Sequence, residues 1–174
     1  LAEFTGVHLN IQHVTTAEGM NTIKRAKDRG IRVTCEIAPH HLIFNHEHIG
    51  DYNTHFKMNP PLRTPEDNTA LLQGLKDGFF DVIATDHAPH TPFEKNQDFA
   101  SAPFGITGLE TALVSLYDRF ISKGILDWSV IVKRYSAEGL LGWGAGFGTL
   151  REVAPLQGDV HGGFIHGGSG IKLP

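Results

Sequence analysis

The sequence predicts an α/β protein built on a parallel sheet, and three observations carry that prediction. Short apolar, β-rich runs alternate with amphipathic helical stretches, the order that packs helices against parallel strands. The first strand–helix–strand passage takes about 30 residues, the length of a βαβ crossover. The helical stretches also carry their own boundaries, with Thr-led caps before them and Gly after.

The elements follow in order. Val7 to Val14 (VHLNIQHV) reads as a strand, with Val7, Leu9 and Ile11 alternating against polar residues. Thr15-Thr16-Ala17-Glu18 has the form of a capping box, so a helix begins there, carrying Met20, Ile23 and Ala26 at helical spacing and stopping at Gly30. Ile31 to Ala38 (IRVTCEIA) is the next strand, ended by Pro39. After a longer loop, Thr64-Pro65-Glu66-Asp67 supplies an N-cap, a Pro at the first helical position and acids in the first turn. Leu71, Leu72 and Leu75 form that helix's apolar stripe, and Gly78 closes it. Phe80 to Thr85 (FDVIAT) reads as a short, buried parallel strand. A third helix is expected from Gly108 to Ser122, with Leu109, Ala112, Leu113, Leu116 and Phe120 on one face, and a fourth from Trp128 to Leu141. Pro155 to Pro174 is Gly-rich and aperiodic, a loop or tail.

Composition narrows the function classes. The chain has 174 residues, no internal repeat and no dividing linker, which fits one domain; a complete (β/α)₈ barrel would need about 250 residues. The net charge of -4 argues against a nucleic-acid backbone binder. Cys35 is the only cysteine, which rules out an intrachain disulfide or a multi-cysteine zinc site and suits a reducing, cytoplasmic setting. No apolar run approaches the ~18 residues of a membrane span. The opening Leu-Ala-Glu-Phe, without Met or a leader pattern, is what a piece of a longer protein is expected to show. No G-x-G-x-x-G follows the first strand, which weighs against dinucleotide binding, while a barrel and an open doubly wound sheet both remain compatible with the pattern.

The 11 histidines direct attention to three polar clusters. His13 closes the first strand, Pro39-His40-His41 the second, and Asp86-His87-Ala88-Pro89-His90 the third. In parallel α/β folds, functional groups gather where strands end, so the three clusters should share one face. Imidazole and carboxylate together suit Zn²⁺ and similar cations, and a carboxylate beside a bound metal can accept a proton from water. His13 is a candidate ligand, or else a strand-end histidine bonded to a loop carbonyl. An acid after an apolar strand is costly unless paired or coordinated, so Asp86 is a ligand and proton acceptor, or else a turn or N-cap aspartate.

Five segments carry a resemblance: Gln12-His13-Val14-Thr15, CEIAPHHL (Cys35 to Leu42), KMNPPLR (Lys57 to Arg63), DVIATDHAPHT (Asp81 to Thr91) and APFGITGLET (Ala102 to Thr111). In this order, over roughly residues 7–151, they resemble the dihydroorotase family. Thr-Asp-His-Ala-Pro-His alone recurs across related amidohydrolases; KMNPPLR and Pro-Phe-Gly beside it add specificity. The resemblance implies a partial (β/α)₈ TIM barrel of the metal-dependent hydrolase type. It gives strands six to eight within residues 1–152, and a Gly-rich tail at 153–174 that departs from the family. It implies reversible cyclisation of N-carbamoyl-L-aspartate to L-dihydroorotate in pyrimidine biosynthesis, with Zn²⁺ as cofactor, two ions per complete site. His13 takes the place of a metal ligand, and Asp86 that of a ligand which is also the catalytic base. Asn59 and His90 match substrate-binding side chains, and Phe104 and Gly105 a segment whose main chain meets the substrate. Homo-oligomerisation or association with aspartate carbamoyltransferase is implied as well.

Other residues have plainer expectations. His40 and His41 support or build the site rather than ligate, His87 supports its loop, and Cys35, beside Glu36 on the same strand, fills core. Pro60-Pro61 stiffens the loop presenting Asn59, Arg63 pairs with an acid, and Trp128, Trp143 and the phenylalanines pack. The chain lacks the family's first-strand His-x-His, bridging carboxylate and fifth-strand histidine, so it is not expected to assemble a two-metal centre alone. Tyr135-Ser136-Ala137-Glu138 lacks the usual Asn-Pro-Ala, and after Gly148-Thr149-Leu150-Arg151-Glu152 the expected continuation gives way to Val153-Ala154-Pro155. Rival readings are a hydantoinase, dihydropyrimidinase or allantoinase relative, and a non-catalytic remnant serving as a scaffold for aspartate carbamoyltransferase.

Overall fold

The computed structural model describes residues 1–135. Trp143, the far end of the helix expected to reach Leu141, the Gly148–Glu152 stretch and the tail from 153 lie outside the described residues. The chain forms α1 (Ala2–Thr5), β1 (Leu9–Ile11), α2 (Ala17–Asp28), β2 (Val33–Ile37) and α3 (Pro39–Ile43). Two 3₁₀ turns follow (His46–Ile49 and Thr54–Phe56), then α4 (Pro65–Lys76), β3 (Val82–Ile83) and α5 (Pro92–Lys95). α6 (Ala112–Leu116) runs into a π-helical turn (Tyr117–Ile121), and α7 (Trp128–Tyr135) ends the described chain.

The three strands form one parallel sheet in the order β1-β2-β3. Leu9 pairs with Val33 and Ile11 with Cys35, while Glu36 pairs with Val82 and Ile37 with Ile83. The fold is α/β with a parallel sheet, as the alternation predicts. The strands are shorter than the apolar runs because the ladder continues past them only as single bonds, such as Val14 N–H to Glu36 O (3.1 Å) and Ala84 N–H to Ile37 O (3.0 Å).

Local chemistry sets the helix ends. α2 is capped by Thr16, whose hydroxyl accepts from Gly19 N–H (3.0 Å), one residue later than the Thr15–Glu18 box. Its first amide, on Ala17, donates to Asp67 Oδ1 (2.9 Å), and Asp67 also completes the capping box of Thr64 on α4. One carboxylate therefore satisfies the starts of two helices. α2 stops as expected: Gly30 takes φ +74°, and Ile31 N–H reaches back to Ala26 O (3.1 Å) while Gly30 N–H bonds Lys27 O (2.9 Å), a Schellman closure. Pro39 ends β2 but also opens α3 at a position where its missing N–H costs nothing.

The third helix begins at Ala112 rather than Gly108. Gly108 lies so close to β3's continuation that a Cβ there would sit 2.8 Å from Thr85 O, so the chain turns before it can wind. Ala112, Leu116 and Phe120 then face inward, whereas Leu109 and Leu113 are 46% and 41% exposed, which corrects the single-stripe expectation. Trp128 lies at the surface, its ring 5.7 Å from Tyr117, and not in the core.

Cys35, Ile37, Leu71, Leu75, Phe80 and Leu116 are fully buried, so the core lies between β2, α4 and α6. Asp81 Oδ2 ties that core to the sheet, accepting from Cys35 N–H (2.8 Å) and Lys27 Nζ (2.7 Å). No helix among the described residues is long and apolar enough to cross a membrane. Leu75→Ala should cost about 2–5 kcal/mol, and Val114→Ala, at a residue 66% exposed, no more than about 0.5 kcal/mol; urea unfolding midpoints of the two variants check this.

Candidate active site

Two residues following the outer strands leave the extended backbone together. His13 takes φ +50° and Asp86 φ +49°, both in the left-handed region that non-glycine residues visit uncommonly, Asp and His more readily than most. The result is contact: His13 Nε2 lies 3.2 Å from Asp86 Oδ1. Glu36, on β2 between them, brings Oε1 to 3.8 Å from His13 Nε2, and Asn10 Nδ2 donates to its Oε2 at 3.3 Å. His40 Nε2 is 4.0 Å from Asp86 Oδ2. One residue from each of the three clusters, His13, His40 and Asp86, thus meets at one point.

The charges there are interdependent. The Asp86 hydrogen bond raises the His13 imidazole above its ordinary value, against the effect of burial. Burial pushes the Asp86 carboxyl upward, but the His13 hydrogen bond and the surrounding histidines outweigh it and hold it below the usual carboxylate range. Burial raises Glu36. It lowers the two α3 histidines, His40 to about 3 and His41 to about 4, so both are neutral near pH 7. His41 Nε2 donates to Pro60 O (3.0 Å), linking α3 to the loop that carries Asn59. His40 Nε2, His41 Nδ1 and Thr85 Oγ1 are buried without a hydrogen-bond partner among the described residues.

A second group forms on the loops after β3. His90 Nε2 donates to Phe104 O (2.8 Å), and Gly105 N–H donates to Lys57 O (2.9 Å). Gly105 takes φ +124°, and a Cβ there would meet Ala88 Cβ at 2.5 Å, so this close approach admits only glycine. The Phe104 side chain is half exposed and Asn59 is exposed, two residues beyond Lys57. Among the described residues no hydrogen bond or ion pair joins this group to the His13–Asp86 pair. His87 does support its loop: Nδ1 accepts from Gly108 N–H (3.0 Å) and Leu109 N–H (3.1 Å). Among the described residues Arg63 pairs with no acid; its Nε donates to Thr15 Oγ1 (3.2 Å).

Imidazole nitrogen and carboxylate oxygen 3.2 Å apart are donors of the kind a divalent first-row cation takes. Among the described residues, however, no group of three or more His, Cys, Asp or Glu side chains is arranged to hold such an ion. The donor types fit, and their number makes only part of a centre. Three participants escape a reading of the sequence. Glu36 sits mid-strand in an apolar run, where the cost of an unpaired buried acid that singles out Asp86 applies equally. Lys57 and Lys95 are buried and, among the described residues, their ammonium groups hydrogen-bond only to main-chain carbonyls, for which the sequence carries no mark.

His41 gives the site a pH dependence of known sign. Its folded value of about 4 lies below its ordinary 6.5, so between those values the unfolded chain binds more protons. Stability should fall as pH drops through that window, and His41→Gln should flatten the fall; urea titrations at stepped pH values measure both.

No protein-family model matches the chain. Among curated relatives, the dihydroorotase of Halalkalibacterium halodurans is 47% identical over 157 residues, covering 90% of this chain and 37% of that protein. The dihydroorotase of Bacillus subtilis is 46% identical over 151 residues, covering 87% of this chain and 35% of that protein. Among solved structures, an L-hydantoinase (dihydropyrimidinase) from Arthrobacter aurescens superposes with a TM-score of 0.72 at 29% identity, covering 76% of this chain and 30% of that one. The chain thus spans little more than a third of the curated relatives it matches. On an α/β fold shared with hydantoinases, it resembles the dihydroorotase family across nearly its whole length.

Proposed function

We propose that this chain supplies part of the active site of a dihydroorotase, interconverting N-carbamoyl-L-aspartate and L-dihydroorotate, with its three strands as strands six to eight of a (β/α)₈ barrel. The observation that carries the reading is the 3.2 Å contact of His13 and Asp86 at the ends of β1 and β3. The 46% and 47% identities to dihydroorotases, against 29% to a hydantoinase, favour this cyclic amide over a hydantoin.

A divalent cation, which we take to be Zn²⁺, held by His13, Asp86 and ligands outside the described residues, would supply a water acidic enough to react near neutral pH and a charge to polarise the amide carbonyl. The rest falls to side chains. Asp86, held below the usual carboxylate range, is ionised at neutral pH and so ready to accept a proton at its carboxylate. In hydrolysis it would pass that proton to the departing ring nitrogen; in ring closure it would take the proton from the attacking carbamoyl nitrogen. His13 is held in place by its left-handed backbone and by Asp86, so neither side chain has to search for its position. Asn59 would bind polar groups of the substrate. His90 commits Nε2 to Phe104 O and its Nδ1 lies 3.9 Å from Glu94 Oε2, so its contribution to substrate binding would be to fix the main chain at 104–105.

Two expected outcomes follow. A chimera in which this chain replaces the matching third of the Bacillus subtilis dihydroorotase should turn over dihydroorotate, and Asp86→Ala within it should abolish turnover by removing ligand and proton carrier together. A chimera that folds and binds zinc but has no activity would sink the reading. The 174-residue chain alone, assayed with excess Zn²⁺, should show no turnover, since a catalytic zinc keeps about three protein ligands. Turnover within about tenfold of a full-length control, or 1.4 kcal/mol in barrier, would contradict that count of ligands.

A further inference from the structure

We propose that Lys57 is a positioning residue: its ammonium group is the anchor around which the loop from Asn96 to Gly105 is built. Through that loop it sets where the Phe104–Gly105 main chain stands relative to Asn59. The proposal rests on the reading above only in taking those residues as substrate contacts.

The loop has no helix or strand of its own between Asn96 and Gly105, so something other than a ladder must hold it. Lys57 is 8% exposed, and its Nζ donates to Ala100 O (2.9 Å) and Ala102 O (2.6 Å). The same nitrogen lies 4.5 Å from the centre of the Phe104 ring and 5.6 Å from that of Phe99. No acid pairs with it among the described residues. Carbonyl dipoles and ring faces therefore solvate the buried charge, and each is fixed in place by doing so. The residue's other end acts on the same loop, because Lys57 O accepts from Gly105 N–H (2.9 Å).

Lys95 completes the lacing from the opposite side. Its Nζ donates to Thr54 O (3.1 Å) and Pro103 O (2.9 Å), while Thr54 Oγ1 donates back to Lys95 O. The segment from Thr54 to Lys57 and the loop thus hold each other at several points. With two of its three donors on main-chain carbonyls and the rings of Phe99 and Phe104 beside it, the positive charge in KMNPPLR organises the wall of the site.

Amide hydrogen exchange on the 174-residue chain tests the anchor. Lys57→Met keeps the stem and removes the donors and charge. It should speed exchange at Ala102, Gly105 and Ala88 by about tenfold or more, with α2 and α4 unchanged. Lys57→Arg, which restores charge and donors, should recover most of the protection. In the chimera described above, Lys57→Met should raise KM by about fivefold or more with kcat within about twofold. Unchanged exchange in the loop overturns the anchor, and so does uniform acceleration over α2, α4 and loop alike. Altered exchange with an unchanged KM overturns the link to Asn59 and Phe104–Gly105. An inactive chimera with the expected exchange pattern would instead count against the dihydroorotase reading and leave the anchor standing.

Discussion

The candidate site depends on parallel register in a very small sheet. Because β1 and β3 both run alongside β2 in the same direction, the chain leaves both at the same end, and β2's own residues fill the gap between. An antiparallel neighbour would have sent one of these ends to the far side of the sheet. Few ladder bonds enforce that register, so side chains reinforce it. Asp81 holds β3's entry to the Cys35 amide and to Lys27 on α2, and Asp67 holds the start of α2 to the start of α4. These ties fix the depth at which His13 and Asp86 emerge.

At that depth the protein mixes two kinds of histidine. His13 is partly exposed and gains from a carboxylate; His40 and His41, on the adjoining α3, are buried and stay neutral. Burial thereby keeps positive charge from accumulating beside Asp86 and Glu36, while His41 spends its proton on Pro60 O. Two neighbouring imidazoles next to the His13–Asp86 pair, their rings tilted by 51°, thus differ from His13 in solvent access, not in residue type.

Much of this was legible in residue order. Three β-rich runs, helix caps at Thr64 and Gly30, and polar residues at strand ends suffice to bring His13 and Asp86 together. What was not legible has physical reasons. Alternation treats a buried strand as apolar and passes over Glu36, whose cost is offset by Asn10 and His13. The left-handed backbone at His13 and Asp86 leaves no trace when neither residue is glycine. The late start of α6 follows from Gly108 pressing on Thr85, a contact between residues far apart in the chain. The role of Lys57 is invisible because its partners are carbonyls, which every residue has.

Gly105 and Gly108 carry one more implication. Both lie where the returning chain touches the continuation of β3, with room for no side chain beyond hydrogen. The excursion between that strand and these glycines is therefore moored at its far end by close packing as well as by hydrogen bonds from Gly105 N–H to Lys57 O and from Gly108 N–H to His87 Nδ1, while Phe93, Glu94, Asn96 and Gln97 face solvent around the buried Lys95. Substitutions can accumulate at those exposed positions without moving the moorings. Sequence at that tip can therefore change while the His13–Asp86 contact at the strand ends stays as it is.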